Sequence, residues 1–294
     1  MPNALFVTPG DIETASARFR AIWPAEHMRD VDIVTIEEIQ RTRAISPSYK
    51  NYIWIKVFDL EAVEHLAEHK KNVWWDLCDP VHWFEPMKAR RMADLSKGII
   101  FSSQSLHDDF IEWYGPTDKA HVIVDRLKLE HYKRVKQHTE TIKPRFIWFG
   151  AGQNRLSLYA TLATFARLEA NGVALSVTIF DDKASEPWRI SNTIPTYHAA
   201  WDVETENEVI TDHDIAVLPP YPGPWGKVKS NNKILTAWAC GLPVTDGINY
   251  THTYRLATEL AYRTCAADIG SKAVLDYDVR KSAQEWKELL CITL

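Results

Sequence analysis

Residues able to do chemistry gather most densely between Trp225 and Gly247, in WGKVKSNNKILTAWACGLPVTDG. Lys227, Lys229 and Lys233 place three cations within a short span. Ser230, Asn231 and Asn232 carry side-chain oxygens suited to capping a helix start, and Gly241 with Pro243 beyond it marks that helix's end. Cations, amides and the backbone N–H groups of a helix N-terminus together suit an anion such as a phosphate. The stretch is therefore expected to hold a nucleotide diphosphate through Lys229, Ser230, Asn231, Asn232 and Lys233.

A second group follows the apolar run Arg145–Phe149. The turn GAGQNR offers the N–H groups of Gly150 and Gly152 to a phosphate, and Arg155 adds a two-pronged donor. The third glycine of a dinucleotide fingerprint is absent, because Leu156 holds its place. In the first half, Asp76, Asp79 and His82 sit where an apolar run ends. There, Asp79 and His82 could orient or deprotonate a hydroxyl. Trp83 and Phe84 beside them could stack on a sugar or a base, and Arg18 and Arg20 are placed to reach the same acceptor side. Ser102, Ser103 and Ser105 have no His and Asp partners at recognisable spacing. The pairs Asp30-Val31-Asp32 and Asp212-His213-Asp214 precede strands, at the end away from an expected ligand, so no metal site is expected.

These groups are positioned by an alternation of strand and helix that runs through the whole chain. Apolar runs begin at Ala4, Ile33, Asn51, Asn72, Gly98 and His121 in the first half, and at Arg145, Leu175 and Ile215 in the second. Helical segments are expected between them, including 16–28, 60–71, 87–96, 105–114, 156–171, 204–211 and 253–264. Residues 133–144, KRVKQHTETIKP, are polar and read as an interdomain linker. The expectation is α/β: two Rossmann-like, doubly wound parallel-sheet domains facing a cleft, with ligands outside the carboxyl ends of the strands. Their bounds are 1–138 for an acceptor-side domain and 139–278 for a nucleotide-sugar-binding domain. Residues 279–294 form a closing helix, with Val279, Ala283, Trp286 and Leu290 on one face.

With 294 residues the chain accommodates two ordinary domains, and its net charge of −5 gives no general attraction to nucleic acid or anionic membrane. Cys78, Cys240, Cys265 and Cys291 form no CxxC pair and read largely as buried thiols of a reducing compartment. The start, MPNALFVTPGD, lacks the basic region of a signal peptide, and no apolar run approaches a membrane span. A cytoplasmic location is expected. The 12 tryptophans are numerous and read mostly as core, with some available for stacking.

Four pieces of the second half, in order, resemble the C-terminal domain of the GT-B glycosyltransferases of the large group-1, retaining, family-4-like type. They are RFIWFGAGQNR, IFDD, WDVET followed by HDIAVLPP, and KSNNKILTAWACGLPV. In the first half, WWDLCDP and ADLSKGIIFSSQSLHDDF resemble the acceptor-side domain of the same family. The resemblance implies a donor nucleotide sugar bound mainly by the second domain. Arg155 and Lys233 would take the diphosphate, Trp201 would border the base, and Thr236 would approach the ribose. The family's usual pair of glutamates would fall at Val228 and Thr236, and neither is a carboxylate.

The implied activity is metal-independent transfer of a sugar from a UDP- or GDP-type donor to an acceptor hydroxyl. Domain closure and stabilisation of the leaving diphosphate by Lys233 and Arg155 would drive it. The nucleotide sugar is a substrate, so no cofactor is expected. The acceptor would be a saccharide or glycan. A modified DNA base is an alternative that Lys88-Ala89-Arg90-Arg91 could serve by tracking a phosphate backbone. Retention of configuration follows from the resemblance alone; an inverting enzyme would use Asp79 or His82 as base. A non-catalytic nucleotide-sugar-binding relative and a nucleotide-sugar epimerase are the other classes open to this sequence.

Overall fold

The computed structural model describes residues 3–42, 45–186 and 188–292. Two compact units are present: one contains the chain up to Leu127 with Lys227–Ser230 and the segment from Asp278, the other Lys128–Gly226 with Asn231–Tyr277.

The first unit is built on six strands: β1 (Ala4–Thr8), β2 (Val31–Thr35), β3 (Asn51–Ile55), β4 (Asn72–Leu77), β5 (Gly98–Phe101) and β6 (Ala120–Val122). All pair in parallel in the order β2-β1-β3-β4-β5-β6, with Phe6 opposite both Ile33 and Ile53. Strands β1 and β3 are buried along their whole length, as expected of a parallel sheet covered on both faces. Alternate residues serve opposite faces. Tyr52, Trp54 and Trp75 pack with Val63, Leu66 and Met92 on one side, while Phe6, Ile53, Ile55 and Trp74 pack with Ala283, Trp286 and Leu290 on the other. The helix Val279–Leu290 thus belongs to this unit, its fully buried Trp286 meeting Phe6 edge-on at 5.5 Å. Five tryptophans (Trp23, Trp54, Trp75, Trp148 and Trp286) are among the largest fully buried side chains.

The second unit has five strands: β7 (Arg145–Phe149), β8 (Ser176–Asp181), β9 (Thr196–Ala200), β10 (Ile215–Val217) and β11 (Val244–Thr245), all parallel in the order β11-β10-β7-β8-β9. The chain winds from β7 outward through β8 to β9, then returns to the opposite side of β7. The sheet therefore changes winding direction between β7 and β10, the kind of point where parallel sheets open a crevice for ligands.

Several expected boundaries move. The polar segment 133–144 is no loose linker but is stitched into the second unit. Arg134 N–H donates to Asn207 Oδ1 at 2.8 Å, Lys136 N–H to Cys240 O at 2.9 Å, and His138 Nε2 bonds Gly241 O at 2.9 Å. The expected helix 156–171 is a 3-10 segment, Gly152–Thr161, followed by an α-helix, Leu162–Ala170. The pinned side chain of Arg155 accompanies this tighter first part. The expected helix 253–264 is instead two helices, Tyr250–Thr258 and Leu260–Ala273, parted at Glu259. Arg263 donates to Leu256 O at 2.9 Å and Ala257 O at 3.4 Å, satisfying carbonyls at the first helix's end. Of the cysteines only Cys240 is buried; Cys78 is intermediate, and Cys265 and Cys291 are exposed. No described helix is long and apolar enough to cross a membrane.

Candidate nucleotide site

At the reversal in the second unit, β7 ends in Gly150 and β10 leads through a short helix, Pro224–Val228, to the helix Asn232–Ala239. Gly150 has φ +146°, a conformation essentially restricted to glycine. Its bare Cα lets Lys233 approach: a Cβ there would lie 3.2 Å from Lys233 Cδ and 3.3 Å from its Nζ. The same ammonium stands 5.6 Å from the centre of the Trp148 ring. Asn231, the N-cap of the helix that carries Lys233, makes no side-chain cap hydrogen bond. Cation, glycine turn and helix start therefore meet in one place.

The rest of the glycine turn is engaged internally. Gly152 N–H donates to Asp182 Oδ1 at 2.5 Å, and the Lys183 stem lies over Gly152, 2.5 Å from where a Cβ would sit. Arg155 is buried, its Nε and Nη2 gripping the two oxygens of the fully buried Asp181 at 2.6 and 2.7 Å. Its Nη1 donates to Glu186 O at 2.7 Å and its Nη2 also to Lys183 O. The hydrogen bond to Asp181 is the main cause of a guanidinium pKa raised further above its ordinary value. The expectation that Arg155 offers its fork to a diphosphate meets a different geometry: the fork is closed on Asp181 and fixes the turn.

In the same unit, Trp201 follows β9 and donates from Nε1 to Glu206 Oε1 at 3.1 Å. Tyr132 OH donates to Glu206 Oε2 at 3.0 Å and lies 3.5 Å from Thr236 Oγ1. Trp201 and Thr236, expected separately, are thus linked through Glu206 and Tyr132 in turn. Sequence reasoning missed Glu206 and Tyr132: the first sits in a polar helix start without periodic signal, the second beside the supposed linker. Asp214, from the second DxD pair, is held by Lys136 Nζ at 2.9 Å and by the N–H of Arg145. Among the described residues no group of three His, Cys, Asp or Glu is arranged to hold a metal ion.

The first unit contains the remaining candidates. Arg20, fully buried, binds Asp76 through Nε at 3.1 Å and Nη2 at 2.7 Å, and Asp125 through Nη1 at 3.2 Å. Burial drives the Asp76 carboxyl above its usual range, and the Arg20 charge beside it works against this. Arg18 is also buried, donating to Ile12 O at 2.8 Å with its guanidinium 5.0 Å from the Phe19 ring centre. The two arginines expected on the acceptor side are therefore internal fastenings of the segment Arg18–Ile22.

Asp79 is buried between Lys56, 2.6 Å away, and Lys229. For Lys56, burial lowers the ammonium pKa, but Asp79 more than offsets it, and the net shift is upward. The neighbouring Cys78 thiol is pushed up to about 12, chiefly by burial. Ser230 Oγ donates to Asp125 Oδ2 at 2.5 Å, and Val228 O accepts from Ser103 Oγ at 2.9 Å, so residues Lys227–Ser230 are bound into the first unit. Lys229 and Ser230 thus contact carboxylates, and the expected side-chain caps from Ser230 and Asn231 are not formed.

His82 is buried, with Nε2 2.8 Å from Asp109 Oδ2 and its ring 5.1 Å from Trp113 and 5.2 Å from Phe110. Burial holds its pKa below the usual value. It is packed as part of an aromatic cluster rather than presented to a substrate. Trp83 is 37% exposed and also donates to Asp109, at 3.0 Å; Phe84 is 62% exposed. The basic stretch thought able to track DNA is neutralised or covered. Lys88 pairs with Glu85, Arg91 pairs with Glu64 at 2.7 Å, and Arg90 lies over the Trp113 and Tyr114 rings.

No protein-family model matches the chain, and no curated protein matches its sequence. Solved structures do. HepE from Anabaena, crystallised with UDP and glucose, superposes over the whole of both chains with a TM-score of 0.72 at 12% identity. TarM of S. aureus matches 86% of this chain and 57% of its own length, with a TM-score of 0.62 at 11% identity. A UDP-forming trehalose-phosphate synthase from Burkholderia xenovorans matches 86% of this chain and 76% of its own, with a TM-score of 0.61 at 11% identity. The chain has the GT-B fold: two α/β units, each on a parallel sheet of six or five strands.

Proposed function

We propose that the chain transfers a sugar from a nucleotide diphosphate sugar, with UDP as the first nucleotide to test, to the hydroxyl of a saccharide or glycan. One observation carries this reading. The Lys233 ammonium is held over Gly150 at the β7/β10 reversal, in a fold that in HepE accepts UDP-glucose. A nucleotide diphosphate leaving group gains negative charge as the glycosidic bond breaks. A fixed ammonium and the first-turn N–H groups of Asn232–Ala239 are the donors that stabilise such charge. Gly150 contributes by lacking a side chain, so that both lysine and phosphate can approach the backbone.

In this reading the expected phosphate residues divide by role. Lys233 and the N–H groups around Asn231 and Asn232 bind. Arg155 and Gly152, fastened to Asp181 and Asp182, keep the turn rigid behind them. In the first unit, the partly exposed Trp83 offers a ring to an acceptor sugar, and Asp79 is an acceptor for hydroxyls once Lys56 and Lys229 share its charge. The reading includes metal-independent transfer with retention.

The deciding experiment is a thermal-shift panel of nucleoside diphosphates and UDP- and GDP-sugars, followed by measurement of diphosphate release with EDTA present. The expected result is stabilisation by one nucleotide family and release of the diphosphate that Lys233→Ala abolishes. Stabilisation without release under any acceptor would make the chain a binding protein. Isomerisation of the donor, read by NMR, would make it an epimerase. No stabilisation by any nucleotide would overturn the proposal.

A further inference from the structure

We infer that the exposed face of the helix Leu260–Ala273 docks a second copy of this chain; the inference does not depend on the nucleotide reading. The helix is committed on one side only. Arg263, Ala267 and Gly270 are buried, and a Cβ at Gly270 would lie 2.3 Å from Trp238 Cδ1, so this side is pressed against the helix Asn232–Ala239. The other side borders an open groove of about 640 Å³, along which run Ala261, Thr264, Cys265, Asp268, Ile269 and Lys272. Glu140 lines it too, on a segment that Arg263 holds beside the helix through Thr139 O at 2.9 Å. Steps of three and four residues keep this line on one helix face. Ile269 is 64% exposed, and Leu275, in the 3-10 turn Val274–Tyr277 that continues the helix, is 65% exposed.

The charges on this face point to a copy of itself. Asp268 and Lys272 stand four residues apart, yet neither forms an ion pair among the described residues. An acid and a base on one face are self-complementary about a two-fold axis, and each contact then occurs twice. In an antiparallel pairing with the axis at the level of Gly270, Asp268 faces the partner's Lys272. The same register sets Leu275 against the partner's Cys265, where small side chains leave room, and lays Ile269 over the stem of the partner's Lys272. From Leu260 to Tyr277 the strip is about 29 Å long, and with the segment at Glu140 it is about 20 Å wide. That is roughly 600 Å² per chain, the lower end for a specific association. Other occupants fit less well. Glu140 and Asp268 outnumber Lys272 along the groove, which opposes an anionic membrane. An open groove also buries too little of a small molecule. The docking face is turned away from the helix that carries Lys233, so a dimer is compatible with the nucleotide site.

Sedimentation velocity on the full chain between about 5 and 200 µM tests this, the range suited to an interface of this size. The mass is expected to rise toward twice the 33.8 kDa of one chain. Ile269→Asp is expected to weaken the dimer at least roughly 30-fold, because a carboxylate enters the apolar contact. Asp268→Lys and Lys272→Asp alone each bring like charges together twice and are expected to do the same. The double reversal Asp268→Lys with Lys272→Asp restores the pairs and is expected to return the affinity to within about threefold of wild type. All three positions are exposed, so urea midpoints should stay near wild type, and the charge reversals keep the test readable if Ile269→Asp folds poorly. A wild type that stays monomeric at the highest concentration, a dimer indifferent to Ile269→Asp, or a double reversal that fails to restore it would overturn the proposal. A monomer that floats with phosphatidylcholine vesicles, and no longer does so as Ile269→Asp, would assign the face to a membrane and overturn it equally.

Discussion

Lys233→Met should weaken UDP binding strongly and uridine binding hardly at all. The ammonium is the group placed over Gly150, and methionine keeps most of the stem's volume while removing the charge. A hydrogen bond to a charged partner contributes about 1.5–3 kcal/mol, so UDP affinity is expected to fall roughly 10- to 150-fold. Uridine, lacking phosphate, should change by less than about twofold. Gly150→Ala approaches the same contact from the other side. At φ +146° a side chain costs about 1–3 kcal/mol of backbone strain, which should appear as lost stability in urea. The new Cβ would meet Lys233 Cδ at 3.2 Å and Nζ at 3.3 Å. The flexible lysine tip gives way by a few tenths of an ångström, and the ammonium leaves its place. If Gly150 matters to the ligand through the lysine, Gly150→Ala should reduce UDP affinity in the wild type but not further in Lys233→Met. Isothermal titration of the four proteins with UDP and uridine measures that coupling. Equal losses for UDP and uridine in Lys233→Met, or strictly additive losses in the double variant, would refute the reasoning.

Arg155→Met should cost stability, about 3–5 kcal/mol, because it leaves the fully buried Asp181 without its partner. Urea unfolding with and without UDP checks this, since a pure phosphate ligand would lose affinity and little stability. Asp79→Asn should leave the fold intact and slow transfer, measured as release of diphosphate with and without acceptor; an unchanged rate would remove Asp79 from the acceptor side. Acid should weaken the protein from below neutrality. Burial holds the pKa values of His82, His138 and His213 below the ordinary 6.5. The unfolded chain therefore binds protons that the folded one does not, and stability falls as pH drops from about 6.5 through the folded pKa values. Asp214 adds a second loss at lower pH. Its carboxyl lies below 3.8 despite burial, because Arg145 N–H and Lys136 hold it, so its contribution is present above that value and disappears as pH falls through the depressed one. Urea midpoints at pH 8, 6.5, 5.5 and 4 test both steps, and a flat profile from 8 to 5.5 would contradict the first.

The alternation of apolar runs and helical segments carried most of the architecture. Strands β1, β4 and β7 fall on the runs Ala4–Thr8, Asn72–Leu77 and Arg145–Phe149 as read from sequence, because buried parallel strands must be apolar on both faces. Boundaries failed where tertiary contacts override local pattern. The polar run 133–144 looked like solvent-facing linker, yet its backbone N–H groups find partners on Asn207 and Cys240, and its His138 side chain one on Gly241. Those partners lie about seventy to a hundred positions later, and no local window contains them. The split of 250–273 into two helices likewise depends on Arg263 reaching back to Leu256 and Ala257.

The site was legible where its chemistry depends on backbone and hidden where it depends on charge pairing. A glycine after a strand and a lysine at a helix start are local features, and the structure brings Gly150 and Lys233 close together. Three of the cations chosen on residue type have carboxylates elsewhere in the chain. Arg155 closes on Asp181, Arg20 on Asp76 and Asp125, and Lys229 on Asp79. An arginine near a turn looks the same in sequence whether its anion is a substrate or an aspartate many residues away. Only the three-dimensional pairing separates them, and the separation has a consequence. With so many cations matched to aspartates, the unmatched charge of a diphosphate must be met by few groups. Lys233 and the uncapped helix start beside it should therefore carry more of the binding energy than a count of lysines and arginines in the loop would assign.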